Sequence, residues 1–352
     1  MSSFKIKKSA FADSDTNNNK QTRIMKRRNF IMKSAVVGLG LTTVGAYACN
    51  NLQVARSPLS NGLITEPFFK LSLAQWSLNQ AIRGGSMDPY AFAAKSHELG
   101  FEGLEYVSQL YTDVTKSDNQ AAAHANFIKK SNEKAAMHGM KNLLIMIDGE
   151  GDLAVSSDIE RKKGVINHHK WVETAAALGC HSIRINLFGV TDPEAWAENS
   201  KESLLALGTY AAAFNINIMV ENHGYLSSDA GLLMQVLNEV NLPNCGTLPD
   251  FGNFCLERAG GARWDSACVK EYDRYQGVEE LMPRAFAVSA KSHDFDAAGN
   301  ETHTDYKRMI QIVKNAGFSG YIGVEYEGKV LSEEAGILAT KNLLIKTAQE
   351  LS

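Results

Sequence analysis

Ile216-Asn217-Ile218-Met219-Val220-Glu221-Asn222-His223-Gly224 is a short apolar run that stops on a carboxylate, and three later runs repeat the arrangement. Asp250 follows Gly246 to Pro249, His293 follows Phe286 to Ser292, and Glu325 follows Tyr321 to Val324. Each run thus ends in a side-chain type that ligates metals. A parallel barrel gathers the C-terminal ends of its strands around one mouth, so the four groups are expected to converge there. Three carboxylates and an imidazole at one point repel one another unless a cation joins them.

The same kind of run recurs upstream, at Leu71 to Trp76, Gly103 to Val107, Asn142 to Ile147 and Ser182 to Leu187, with helical patterns between. Asp88 reads as an N-cap with Pro89 at the first helical position, and Gly100 terminates that helix; Gly139, Gly179 and Gly317 end others. Eight such units over roughly 280 residues match one (β/α)8 TIM barrel, whose buried parallel strands read as apolar runs. An open doubly wound sheet would place a glycine-rich phosphate turn after the first strand, and Gln75 to Asn79 contains no glycine.

Strand alternation tests the ligand set. Met219, Glu221 and His223 share one side of their strand, as do Leu248 and Asp250; Ser289, Lys291 and His293; and Gly323, Glu325 and Glu327. Each candidate ligand can therefore face the barrel axis. The competing reading of any single acid is a helix N-cap or a loop residue, and four in consecutive units weigh against it.

Val220-Glu221-Asn222-His223-Gly224, Pro249-Asp250-Phe251-Gly252-Asn253 and Val324-Glu325-Tyr326-Glu327-Gly328 resemble the xylose isomerase-like barrel family, which includes sugar epimerases, inosose dehydratase-like enzymes and the endonuclease IV branch. The resemblance spans Lys70 to Leu351. It implies one divalent ion held by Glu221, Asp250, His293 and Glu325, with Glu221 and Glu325 exchanging a substrate proton beside a carbonyl. Oxygen-rich ligation favours Mn, Mg or Co, with Zn as the alternative. Two departures stand out: Ser289 occupies the position where members often carry a histidine two residues before Lys291, and His293-Asp294-Phe295-Asp296 lacks the arginine of the epimerases. Glu105, Asn186, His223, Asn253, Lys291 and Trp76 are candidate substrate-binding residues. Against this stand hydrogen bonding within the barrel for Glu105, Asn186 and His223, an ion pair for Lys291 and core packing for Trp76.

The expected substrate is a small unphosphorylated carbohydrate or keto-sugar, undergoing isomerisation or epimerisation. Dehydration or elimination on the same site is the alternative, and a non-catalytic sugar-binding barrel is a third reading. The chain has 352 residues and a formal net charge of −3. No basic stripe provides the phosphate contacts that nucleic acid requires.

Residues 1–48 read as an export segment. Lys26-Arg27-Arg28-Asn29-Phe30-Ile31-Met32-Lys33 precedes an uncharged stretch from Ala35 to Ala48, resembling a twin-arginine signal that would engage the export machinery through Arg27 and Arg28. Ala46-Tyr47-Ala48 fits a cleavage site, while Cys49 offers lipid attachment to the membrane instead. A periplasmic or envelope-anchored location follows from either. Residues 49–67 read as a linker and 68–352 as the barrel. Cys180, Cys245, Cys255 and Cys268 form no CxxC pair; they are expected mostly as buried thiols, with a disulfide open in an oxidising compartment.

Overall fold

In the computed structural model, residues 66–352 are described; the export segment, Arg27, Arg28, Cys49 and most of the expected linker lie outside them. Strands β1 (Lys70–Ala74), β2 (Gly103–Val107), β3 (Lys141–Met146), β4 (Ser182–Ile185), β5 (Asn217–Glu221), β6 (Cys245–Leu248), β9 (Val288–Ser292) and β10 (Tyr321–Tyr326) form one parallel sheet. Its order runs β6-β5-β4-β3-β2-β1-β10-β9, so each strand pairs with its sequence neighbour among these eight and β10 returns to β1. The last seam, β6 to β9, is joined by Phe286 N donating to Thr247 O and Ser289 N to Pro249 O. Eight parallel strands therefore make a nearly closed barrel, as the apolar runs imply.

Burial explains those runs. Leu73, Leu104, Leu144, Ile183, Ile218, Leu248, Val288 and Val324, one from each strand, are fully buried. Around them pack helices such as Gln120–Met137, Asp158–Leu178, Pro193–Ala212 and Glu333–Glu350, which bury Phe127, Trp171, Trp196 and Leu344. The expected start and stop signals are in place: Asp88 accepts from Tyr90 N, and Gly100, Gly139, Gly179 and Gly317 all take positive φ. Gly246 matters to closure for another reason. A Cβ there would lie 2.3 Å from Arg284 O, so only glycine lets β6 approach the chain entering β9.

One segment departs from strict alternation. After β6 the chain inserts an antiparallel hairpin, β7 (Cys255–Arg258) and β8 (Cys268–Glu271), before the helix Arg274–Leu281. Cys255 and Cys268 form a disulfide across it, whereas Cys180 and Cys245 are free and buried. The expectation of mainly buried thiols is thus corrected for that pair. Among the described residues no helix is long and apolar enough to cross a membrane.

Candidate metal centre and substrate cavity

Glu221 ends β5, Asp250 lies two residues beyond β6, and Glu325 is the fifth residue of β10. Their side chains meet inside the mouth: one carboxylate oxygen from each lies within 4.8 Å of the others, and the residues are 2%, 0% and 5% exposed. Ser289 of β9 donates to Asp250 Oδ2 at 2.6 Å and lies 3.1 Å from Glu325 Oε2. Asp250 Oδ1 accepts from the backbone N–H of Gly252 and Asn253, each at 2.8 Å. Asn253 Nδ2 reaches back to Glu221 Oε1 at 3.0 Å.

His293 is not among them. The structure groups it with Glu301 and His303 instead. Strand β9 ends at Ser292, so the alternation that aligned His293 with Lys291 stops one residue short of it. Ser289 occupies the inward position of the mouth instead.

Two cations border the carboxylates. Arg184 Nε lies 2.9 Å from Glu221 Oε2, and Arg184 Nη1 3.2 Å from Asp148 Oδ1. Lys291 Nζ sits 3.1 Å from both Glu325 Oε1 and Glu327 Oε1. Burial opposes the Lys291 charge, but Glu325 and Glu327 outweigh it and hold the ammonium well above its ordinary range. Below the mouth, Glu105 is fully buried and receives the Ser72 hydroxyl at 2.6 Å. Burial lifts its carboxyl to about 8. Burial likewise pushes Asp250 and Glu221 upward, despite Lys291 beside the first and Arg184 beside the second. Two enclosed cations, Arg184 and Lys291, thus face five carboxyl groups, Asp148, Glu221, Asp250, Glu325 and Glu327, apart from Glu105, whose charge burial disfavours. A dication bound by Glu221, Asp250 and Glu325 would offset that excess, and an all-oxygen donor set suits a hard ion. The residues present therefore fit a metal.

Above this floor opens a cavity of about 650 Å³. Glu325, Lys291, Asn253, Asn186, His223 and Trp76 line it, with Glu221 and Asp250 buried beside Glu325 behind that lining; Glu105 does not line it, because it lies deeper, in the barrel interior where Gly323 leaves room for its carboxyl. Its expected role as a sugar-hydroxyl ligand has no access to the cavity. His223 Nδ1 lies 2.7 Å from Asn186 Oδ1, and Asn186 Nδ2 donates to Asp148 Oδ1 at 2.7 Å. Because the amide nitrogen of Asn186 is committed to Asp148, its oxygen must accept, which places the proton on His223 Nδ1 and leaves Nε2 as an acceptor. Burial, reinforced by Arg184, lowers His223 to about 4 and keeps the ring neutral.

Several contributors escaped the sequence reading. Asp148 directly follows the apolar run ending at Ile147, the same signal that marks Glu221. Burial pushes its carboxyl up, but Arg184 and His223 outweigh this and hold it below the usual range. Phe188 and Trp264 pack edge to face at 5.5 Å, Arg263 stacks 4.7 Å over Phe188, and Arg83 lies 4.5 Å over Trp76. Trp264 and Arg263 come from the disulfide-stapled insertion, which carried no periodic signal.

Residues 93–347 match the family described as xylose isomerase-like TIM barrel. The 3-keto-D-glucoside 4-epimerase of E. coli superimposes with a TM-score of 0.59 at 12% identity, covering 78% of this chain and 98% of that one. A xylose isomerase-like TIM barrel protein from Mycobacterium smegmatis, in complex with magnesium, gives 0.55 at 16% identity, covering 80% and 97%. Over 54 residues the chain is 35% identical to the C-glycoside deglycosidase alpha subunit of Arthrobacter globiformis; that stretch is 15% of each protein.

Proposed function

We propose, for a chain that belongs to the xylose isomerase-like TIM barrel family, a divalent-metal-dependent isomerase or epimerase that moves a proton next to a carbonyl of an unphosphorylated carbohydrate or keto-sugar. The observation that carries this reading is the convergence of Glu221, Asp250 and Glu325 from three strand ends. When bound there, the ion polarises a carbonyl and lowers the cost of the adjacent enediolate charge. Glu221 and Glu325 arise from strands on different sides of the barrel, so one removes a proton and the other returns it. Asn253 orients Glu221, and Ser289 holds Asp250 near Glu325. His223 Nε2 accepts a substrate hydroxyl, while Trp76, Phe188 and Trp264 provide apolar faces for sugar rings.

Two of the cavity's cations are already engaged, Arg184 with Asp148 and Arg263 with Asp152, which leaves them less free to hold a phosphate and supports an unphosphorylated substrate. The similarity to a 3-keto-D-glucoside epimerase agrees with a keto-sugar. A second reading is elimination: the same proton abstraction followed by loss of a neighbouring substituent. The short likeness to a deglycosidase subunit favours it. Incubating metal-loaded protein with ketoses and keto-glycosides in D2O, with NMR detection, tests both. Deuterium at one carbon of an epimer or isomer supports the first, an unsaturated keto product supports the second, and unlabelled, unchanged substrates across the panel contradict both.

We also infer export by the twin-arginine route, with the mature chain beginning near Cys49, either free or lipid-anchored. The Cys255–Cys268 disulfide supports this, since such bonds persist in oxidising compartments. N-terminal sequencing and mass measurement of protein from the cell envelope test it; a mature chain retaining Arg27 and Arg28 would contradict it.

A further inference from the structure

We propose that His293, Glu301 and His303 form a second metal site, separate from the mouth carboxylates, that takes a zinc-class divalent ion. The loop after β9 builds it. Asp296 accepts from the backbone of Ala298 and Asn300, and Phe295 bridges antiparallel to Glu301, so the chain doubles back and returns residues 301–303 to the end of β9. The imidazoles of His293 and His303 consequently stand with ring centroids 5.3 Å apart, and a carboxylate oxygen of Glu301 lies within 4.8 Å of a nitrogen of each.

Glu301 is fixed before any ion arrives. Its Oε2 accepts from His303 N at 2.7 Å and from Thr304 N, and its Oε1 from His293 N at 3.2 Å. The side chain is 1% exposed, yet no lysine or arginine pairs with it among the described residues. Oε1 also lies 3.2 Å from His303 Nδ1. Two ligands each about 2.0–2.2 Å from a tetrahedral ion stand roughly 3.4 Å apart, so this pair already has the span of one edge of a zinc polyhedron. A ring nitrogen of His293 lies within 4.8 Å of a carboxylate oxygen of Glu301 and a ring nitrogen of His303, and the His293 ring makes no hydrogen bond among the described residues. It is a half-buried imidazole in reach of a carboxylate, with nothing else to do.

The donor set decides the ion. Two imidazoles and one carboxylate suit zinc, with the fourth position open to solvent beside the exposed His303, whereas the all-oxygen mouth suits magnesium or manganese. The two sites thus differ in selectivity as well as place. A zinc ion here would pin the loop 293–303 to the end of β9, two residues from Lys291 on the cavity floor.

The test counts zinc on the full chain. Metal-stripped protein is dialysed against micromolar ZnCl2 with excess MgCl2, and bound zinc is measured by plasma mass spectrometry for wild type, His303→Ala, His293→Ala and the double variant Glu221→Gln/Asp250→Asn. His303 is 56% exposed, so its truncation leaves the fold intact, which circular dichroism verifies. We expect both histidine variants to lose one zinc per chain relative to wild type, and the carboxylate double variant to retain that histidine-dependent ion. Equal zinc in wild type and His303→Ala would overturn the proposal, as would loss of the ion from the carboxylate variant. Metal binding at the mouth is reported separately, by the loss of manganese from the carboxylate variant, so failure of this proposal and failure of the proposed function are distinguishable.

Discussion

Arg184 Nε stands 2.9 Å from Glu221 Oε2, with both side chains buried, so a cation from β4 neutralises a proposed metal ligand of β5. The same guanidinium reaches Asp148 at the end of β3. Breaking a buried pair by removing one partner leaves an uncompensated charge, which costs about 3–5 kcal/mol. Arg184→Met should lower the urea-unfolding free energy of the full chain by that amount. An unchanged midpoint and slope would mean that the pair carries no such load.

Glu221→Gln and Glu325→Gln each remove one proton-transfer group while keeping its shape. Each should cut turnover by about 10² to 10⁴ with folding retained. Steady-state kinetics beside circular dichroism checks this. If either variant keeps wild-type turnover, that carboxylate is not moving the proton.

Chelation should act on stability as well as activity. An ion that binds only the folded chain stabilises it by about 2.7 kcal/mol at a hundredfold excess over its dissociation constant. Treatment with a chelator should therefore lower the thermal midpoint, and manganese or magnesium should restore it. In Glu221→Gln/Asp250→Asn, added manganese or magnesium should not shift the midpoint.

Glu105 gives a pH dependence with a definite sign. Burial raises its folded-state carboxyl from 4.5 to about 8, so the folded chain prefers it protonated. Its contribution is complete below pH 4.5 and is lost as pH rises through about 8. Glu105→Gln mimics the protonated form. Relative to wild type, its unfolding midpoint should gain across pH 5 to 8; parallel curves for the two proteins would contradict the assignment.

The Cys255–Cys268 bond closes a short loop in the hairpin that bears Arg263 and Trp264 on the cavity wall. A loop of this size constrains the open chain by about 3 kcal/mol. Cys255→Ser/Cys268→Ser, or reduction of wild type, should raise KM with kcat little changed, because the proton-transfer groups lie on the barrel strands. A fall in kcat at constant KM would place the hairpin in the chemical step instead.

What could be read from the lettering follows the physics of burial. The barrel strands are enclosed on both faces, so Ile218, Met219 and Val220 announce β5 without ambiguity, and a carboxylate ending such a run marks the mouth. Asp148 shares that placement and Arg184 sits inside β4, but a single salt-bridged residue among apolar neighbours looks like any other until its partner is seen. Strand β8 was illegible because Cys268, Val269, Lys270 and Glu271 are all exposed and leave no apolar pattern. His293 lies apart from the three carboxylates because alternation constrains a residue only while the strand lasts, and β9 ends one position earlier.

The central claim is that Glu221, Asp250 and Glu325 hold one dication at the floor of the cavity. Crystals of manganese-loaded protein, with anomalous differences collected at the manganese edge, test it most directly. The account predicts a single strong peak at the barrel mouth, about 2.0–2.2 Å from an oxygen of each of the three carboxylates. Well-ordered carboxylates with no peak between them, at saturating manganese, would contradict it.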